Sequence, residues 1–403
     1  MTTTLPLSLA QRLKSAQNYL AAGQGDKAVE IMKATSHDFP NNAVVSTGLG
    51  VAYRFKGDIF QAEIAFLKAL ALEPGKPDAQ VYLGMIRLAQ GQQEEGWQLY
   101  QARWRNSNWV EKLRYPQESL WQGEIKPGLR LLLWSEQGFG DTIQFARYAP
   151  WLLRLLVKNR ARLVLEVPRP LHSLFCATWP FMDIVCHGEA QGHFDAHLPL
   201  MNLPACWGNK VGNGGLPYLP MPGPYLSALP DTYAQARAVP ALTSQTQTFR
   251  QLLRVGITWQ GRPTHPDDHF RSIEIKKLQA LFEVPGICWV SLQKDTANHP
   301  TWLPESLIHC QNFSATARVV NSLDLIISID SAVAHLAGAL GRPVWLLLPK
   351  LADWRWGLHG ENTPWYPTMR LFRQESSEGW LELASRVALA LTVRTEQQEL
   401  LNP

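Results

Sequence analysis

The stretch Asp330-Ser331-Ala332-Val333-Ala334-His335 sets a carboxylate, a hydroxyl and an imidazole at the opening of a small-residue helix, directly after the apolar run Leu323–Ile329. A helix start presents unpaired amides and the positive end of its dipole, so this position suits an anion such as a phosphate. With Asp330 as N-cap, Ser331 falls in the first turn and His335 lies four residues along the same face. Helical side chains lean toward the N-terminus, which lets His335 reach the ligand end of its own helix. Ala332, Ala334, Ala337, Gly338 and Ala339 keep the helix slim, for close packing on a sheet or close approach of a ligand. A capped core helix with one satisfied histidine has the same pattern.

Two further strand ends carry residues of this kind. In Gly138-Phe139-Gly140-Asp141-Thr142 the glycines permit a tight turn or close approach, and Asp141 stands at a helix start. There it either caps the amides or turns a carboxylate toward an acceptor hydroxyl, as a general base must. Thr258-Trp259-Gln260-Gly261 leads into a polar loop in which Thr258, Arg262 and Arg271 are candidate phosphate donors, arginine offering planar two-point binding. Loop decoration is the alternative for both arginines.

The elements that position these residues change period along the chain. A spacing of 34 puts Gly23, Gly57 and Gly91 in register, with Tyr19, Tyr53 and Arg87, and with Ala28, Ala62 and Gly96. Glycine suits the turn between two helices, and small residues let the pair approach, so residues 7–108 read as helical hairpins stacked on one another. After Pro116–Pro127 the period changes: 129–153 reads as a buried strand, a glycine-containing turn and a helix beginning near Asp141, and 161–168 and 181–188 continue as strands. A Pro/Gly/Asn-rich connection follows at 212–230. Strands at 254–261, 287–294, 323–330 and 343–349 and a last helix at 379–392 complete a second alternation. Two α/β domains with parallel sheets and a cleft between them are the expectation, with ligands at the carboxyl ends of the strands.

These residues resemble a known family. The middle repeat has Leu49, Gly50, Tyr53, Gly57, Ala62, Phe66, Ala69 and Pro74 at tetratricopeptide positions. The Gly-Asp-Thr turn, the Asp330–Pro343 stretch and the tail "DWRWG…TPWYPTMRLFRQ" look like bacterial tetratricopeptide-repeat glycosyltransferases related to the heptosyltransferases of glycosyltransferase family nine. The resemblance implies an α plus α/β chain: a repeat domain at 1–108, then a GT-B pair of Rossmann-like domains, acceptor-side at 109–238 and donor-side at 239–403. It implies Asp141 as base and Gly138, Gly140, Thr142 and Gln144 as the acceptor-side loop. Asp330, Ser331, Ala332, His335, Arg271 and Thr258 would bind the donor phosphates, and Gln293 would face the nucleoside. Ala332 stands where the family usually has glycine. The implied activity is inverting and metal-independent. A nucleoside-diphosphate sugar is the co-substrate, the acceptor is a saccharide or protein hydroxyl, and there is no cofactor.

Composition narrows the rest. The formal charge of +4 is too small and too evenly spread for a nucleic-acid surface. No run approaches the ~20 apolar residues of a membrane span, and nothing near the N-terminus has the pattern of a signal peptide, which predicts a cytoplasmic protein. Cys176, Cys186, Cys206, Cys288 and Cys310 lack metal-site spacing and read as buried free thiols. No Asp-x-Asp or His/Cys cluster marks a metal site. The sixteen tryptophans suit core, ring stacking or both. A non-catalytic scaffold whose repeats bind a protein or peptide is one rival reading, and a protein O-glycosyltransferase that attaches N-acetylglucosamine is another.

Overall fold

The computed structural model describes residues 8–106, 112–189, 194–207, 224–228, 252–265, 268–294, 299–303, 310–375 and 378–401. The chain divides into two compact units, and both sheets belong to the second. The boundaries expected at 108/109 and 238/239 lie outside the described residues, as does most of the connection at 212–230.

The first unit is built from α1 (Leu9–Ala21), α2 (Gly25–Asp38), α3 (Ala43–Lys56), α4 (Ile59–Leu72), α5 (Pro77–Ala89) and α6 (Gln93–Tyr100). Each hairpin turns at the expected glycine: Gly23, Gly57 and Gly91 have φ of +72°, +85° and +82°, where a side chain is strained. Ser8 and Gln11 form a reciprocal capping box that starts α1. The small residues of the pattern mark helix crossings, since Ala28 and Ala62 are fully buried. A Cβ on Gly50 would stand within 2.9 Å of three ring atoms of the buried Phe66. Replacing Gly50 by Ala should therefore destabilise this unit by about 1–3 kcal/mol, although alanine is the better helix former. Urea unfolding followed by circular dichroism checks this, and an unchanged midpoint would contradict the crossing.

Residues 350–359 belong to this same unit. Lys350 lies along Gly57 and Gly357 along the Ala89 carbonyl, so the segment runs past the turns of the second and third hairpins. Trp354 packs edge-on against Trp97, with ring centroids 5.2 Å apart. Several tryptophans thus serve as core, and part of the array is covered by the chain's own segment.

The second unit holds two parallel sheets. The first alternation runs β1 (Arg130–Trp134), α7 (Phe139–Ala146), α8 (Ala149–Lys158), β2 (Arg162–Val167), α9 (Arg169–Thr178), β3 (Asp183–Cys186) and β4 (Ala196–Pro199), and leads into α10 (Leu203–Trp207). The other runs β5 (Leu253–Thr258), α11 (Asp268–Arg271), α12 (Gln279–Phe282), β6 (Ile287–Ser291), α13 (Phe313–Asn321), β7 (Leu325–Ile329), α14 (Ala332–Ala339), β8 (Val344–Leu348), β9 (Met369–Arg373) and α15 (Trp380–Leu401). Among the described residues the strand orders are β3-β2-β1-β4 and β6-β5-β7-β8-β9, parallel throughout.

Val255, Ile257, Leu325, Ile327 and Leu347 form the core of the larger sheet with Leu383, Val387 and Leu391 of α15. The smaller sheet is held by Leu131, Leu133, Leu165 and Phe175, all fully buried. The strands expected from sequence form, with Trp259–Gly261 passing into loop, and α15 runs on to Leu401. Strands β4 and β9 were not expected. In β4 the sequence is Ala-His-Leu-Pro, and His197 is buried with Nδ1 accepting from Trp134 Nε1 at 3.1 Å and Nε2 on the Pro116 carbonyl at 2.8 Å. Its polarity hides a core position that hydrogen bonds make tolerable.

The strand orders decide where a ligand can sit. The direction in which successive strands are added reverses between β1 and β4 and again between β5 and β7, and the carboxyl ends at such switch points open a crevice. All three residue groups singled out from sequence follow β1, β5 or β7.

Candidate functional site

After β1 the chain turns through Gln137, whose φ of +60° is left-handed, so the sharp bend falls there and not on the glycines. Gly138 is the N-cap of α7. Asp141 reaches back, its Oδ2 accepting from the Gly138 amide at 2.9 Å, and Thr142 Oγ1 donates to the Gly138 carbonyl at 3.1 Å. The half-buried Asp141 carboxylate therefore closes the helix start while remaining partly open to solvent. Gln144, one turn on, is fully buried.

Gly140 has a different reason. A Cβ there would stand 2.8 Å from Cδ2 of His335 and 3.4 Å from its Nε2, so only glycine lets the imidazole lie against this turn. The start of α7 and the start of α14 are thereby packed together, although nearly two hundred residues separate them. The contact extends to Phe139, whose ring meets Phe313 edge-on with centroids 5.3 Å apart.

At α14 the structure corrects the expected cap. Ser331, in extended backbone, is the N-cap, and its Oγ accepts from the Ala334 amide at 3.4 Å. Ser328 Oγ lies 3.0 Å from the same oxygen. Asp330 precedes the helix, and its Oδ1 lies 3.7 Å from Nε2 of His335. Serine can cap here because its short hydroxyl reaches the third helical amide, while the carboxylate is turned to the imidazole. Ala332 is the first helical residue and is partly exposed at the helix start.

Arg271 joins this group. Its Nη1 donates to the Asp330 carbonyl at 3.1 Å and its Nε to Asp268 Oδ1 at 3.3 Å. Asp268 is itself held by Ser272 Oγ, which accepts from the Gly261 amide. Thr258 is buried at the end of β5, in register with Ser328 of β7. Gln293 spends its carboxamide on backbone: Oε1 accepts from the amides of Trp259 and Gln260, and Nε2 donates to the Gln260 carbonyl. It fixes the loop after β5. Arg262 is exposed on that loop.

The structure thus brings Gly140, Asp330, Ser331, His335 and Arg271 together, with Asp141 and Thr258 on the same strand ends. Two residues of this cluster were not singled out from the sequence. Tyr366 OH lies 2.8 Å from His335 Nδ1, and its ring fits because a Cβ on Gly338 would stand 2.6 Å from it. Arg147 is buried beneath, donating from Nη1 to the Trp365 carbonyl at 2.7 Å. The small residue at 338, three after His335, was the available signal. Among the described residues no group of His, Cys, Asp and Glu is placed to hold a metal ion. No helix there is long and apolar enough to cross a membrane. All five cysteines are free thiols, Cys186 buried and the others partly so.

The elements define a class: a helical-repeat module joined to a two-sheet α/β unit whose switch points adjoin, the layout expected of a tetratricopeptide array with a GT-B pair. No protein-family model matches the chain. Among curated proteins it is similar to Protein FlbA of Caulobacter vibrioides, 26% identical over 388 residues, or 91% of this chain and 63% of that protein. The chain thus spans less than two thirds of that relative's length. Among solved structures, the E. coli ADP-heptose LPS heptosyltransferase II is similar over 67% of this chain and 100% of its own, at 13% identity and a TM-score of 0.42. A glycosyl transferase family 9 protein from Veillonella parvula is similar over 68% and 98%, at 10% identity and a TM-score of 0.42.

Proposed function

We propose that the chain is an inverting, metal-independent glycosyltransferase that moves a sugar from a nucleoside-diphosphate donor to a saccharide or protein hydroxyl. The observation that carries this reading is the packing of Gly140 on His335, which adjoins a carboxylate-bearing helix start to an anion-binding one. The acceptor oxygen attacks the anomeric carbon as the bond to the diphosphate breaks, and Asp141 takes the hydroxyl proton. Negative charge grows on the departing diphosphate. The amide end of α14 answers it with its dipole, His335 with an N–H and Arg271 with a cationic hydrogen bond, the work a metal would do elsewhere. Arg271 is already oriented by Asp268 and the Asp330 carbonyl, so little reorganisation is needed during the reaction.

The repeats offer a surface for a protein or peptide partner beyond the part covered by residues 350–359. A nucleotide-sugar donor and five free thiols suit the cytoplasm. Thermal shift against UDP, ADP, GDP and CDP tests the donor site. One of them should raise the melting temperature, since a ligand at a hundred times its Kd adds about 2.7 kcal/mol. No stabilisation by any would favour the non-catalytic scaffold.

A further inference from the structure

We propose that Tyr366 is a positioning residue that donates its phenolic proton to Nδ1 of His335, fixing the neutral imidazole with its own proton on Nε2, toward the donor diphosphate. The inference rests on the functional reading above for the identity of the ligand, and on geometry alone for the tautomer. His335 is 4% exposed, and its two nitrogens meet different surroundings. Nδ1 is 2.8 Å from the Tyr366 oxygen, while Nε2 faces the Asp330 carboxylate at 3.7 Å and the start of α7. A carboxylate accepts and does not donate, so it favours a proton on Nε2; a neutral ring protonated there has a bare Nδ1, which needs a donor.

Tyr366 can be that donor at every working pH. Burial holds its phenol well above the usual tyrosine range, so the proton stays on oxygen. Tyr225 also hydrogen-bonds the phenol, but its own OH donates to the Ile143 carbonyl at 2.9 Å, so toward Tyr366 it is a second acceptor and supplies no competing proton. The phenol is held in place by three contacts. Gly338 of α14 makes room for its ring, the Arg147 guanidinium lies 4.7 Å from the ring centroid, and Arg147 Nη1 binds the adjoining Trp365 carbonyl. The charged and titratable groups around the imidazole are then Asp330 and Arg271 before α14, Asp141 on the turn of α7, and Tyr366 with Arg147 behind.

The functional gain is a fixed donor. With Nε2–H set by the phenol, His335 presents an N–H to a phosphate oxygen; without the phenol a share of the rings carries the proton on Nδ1 and presents a lone pair there instead.

The test compares the full chain with Tyr366→Phe, which keeps the ring against Gly338 and removes only the hydroxyl. Nitrogen-15 spectra of the histidines, with His335→Gln for assignment, should show Nε2 protonated and Nδ1 bare in the native protein near pH 8. In the variant the ring should become a mixture of tautomers. A native ring with the proton on Nδ1, or a variant spectrum unchanged from native, overturns the proposal. ADP and UDP titrations separate this from the donor-site reading. Affinity near pH 8 should be roughly threefold to tenfold weaker in the variant than in the native protein. If the tautomer changes as expected and neither nucleotide binds, the positioning role stands and the donor-site reading fails. If a nucleotide binds with the same affinity in both proteins, the positioning role fails.

Discussion

Replacing Asp141 by Asn should abolish sugar transfer while leaving donor binding and stability nearly untouched. The native carboxylate caps α7 and, on the proposed function, takes up the acceptor proton, and this change separates the two. Its Oδ2 accepts the Gly138 amide at 2.9 Å, and an asparagine carbonyl oxygen can do the same, so the start of α7 stays closed. What asparagine cannot do is take up the acceptor proton. Loss of a positioned general base typically costs about 10²–10⁴ in rate. The measurement is release of nucleoside diphosphate from the nucleotide sugar that the thermal-shift panel selects. Donor affinity should stay within about twofold of native, since the proposed diphosphate site is built from α14 and Arg271. Asp141→Ala serves as the contrast. It removes the base and the cap together, and should add a loss of about 1 kcal/mol in stability. Failure of the asparagine variant to bind donor, in a protein that unfolds at the native midpoint, would place Asp141 on the donor instead of the acceptor.

Much of the layout was legible because period and turn chemistry agreed with each other. The 34-residue spacing of Gly23, Gly57 and Gly91 named three backbone positions that do adopt positive φ. The apolar runs ending at Thr258 and Ile329 marked the strands on either side of the second switch point. What stayed hidden depends on contacts between distant parts of the chain. Whether Asp330 or Ser331 caps α14 is decided by His335, which draws the carboxylate away, and no local pattern contains that competition. Gly140 reads in sequence as turn chemistry, yet its φ is not positive, and its purpose is the imidazole that arrives from α14. The resemblance turned Gln293 toward the nucleoside; in the fold its carboxamide binds the loop after the neighbouring strand, a contact no local pattern shows. Strand β9 lay unread inside a tail rich in tryptophan and arginine, and with it the position of Tyr366.

Arg147 is the residue whose loss should cost the second unit most stability. It stands at the junction of α7 and α8, 8% exposed. Nε donates to the Gln144 carbonyl at 2.8 Å, Nη1 to the Trp365 carbonyl at 2.7 Å, and Nη2 to the Tyr225 hydroxyl at 3.2 Å. Its charge also lies over the rings of Tyr225, Trp365 and Tyr366, at 4.5, 5.6 and 4.7 Å. The guanidinium therefore ties the first alternation of strands and helices to the second, and to the segment 224–228, whose Tyr225 and Leu226 amides hold the end of α14 at the Ala339 carbonyl. Among the described residues no carboxylate is paired with it; two carbonyls, a phenol and aromatic faces share the compensation. Arg147→Ala should cost about 3 kcal/mol, from acceptors left unsatisfied and a cavity beneath Tyr366. Arg147→Lys keeps the charge but cannot span three directions, and should fall about midway. Burial works against the charge, and the surrounding tyrosines outweigh it, so the guanidinium is held above its ordinary range. A group raised in the folded state contributes fully below its unfolded value and loses that contribution only as pH climbs through the folded one. The difference between native and Arg147→Ala should accordingly stay constant from about pH 5 to pH 9. Urea midpoints read by tryptophan fluorescence at both pH values decide it. An Arg147→Met variant as stable as native would show that apolar filling, not the cation, holds these elements together.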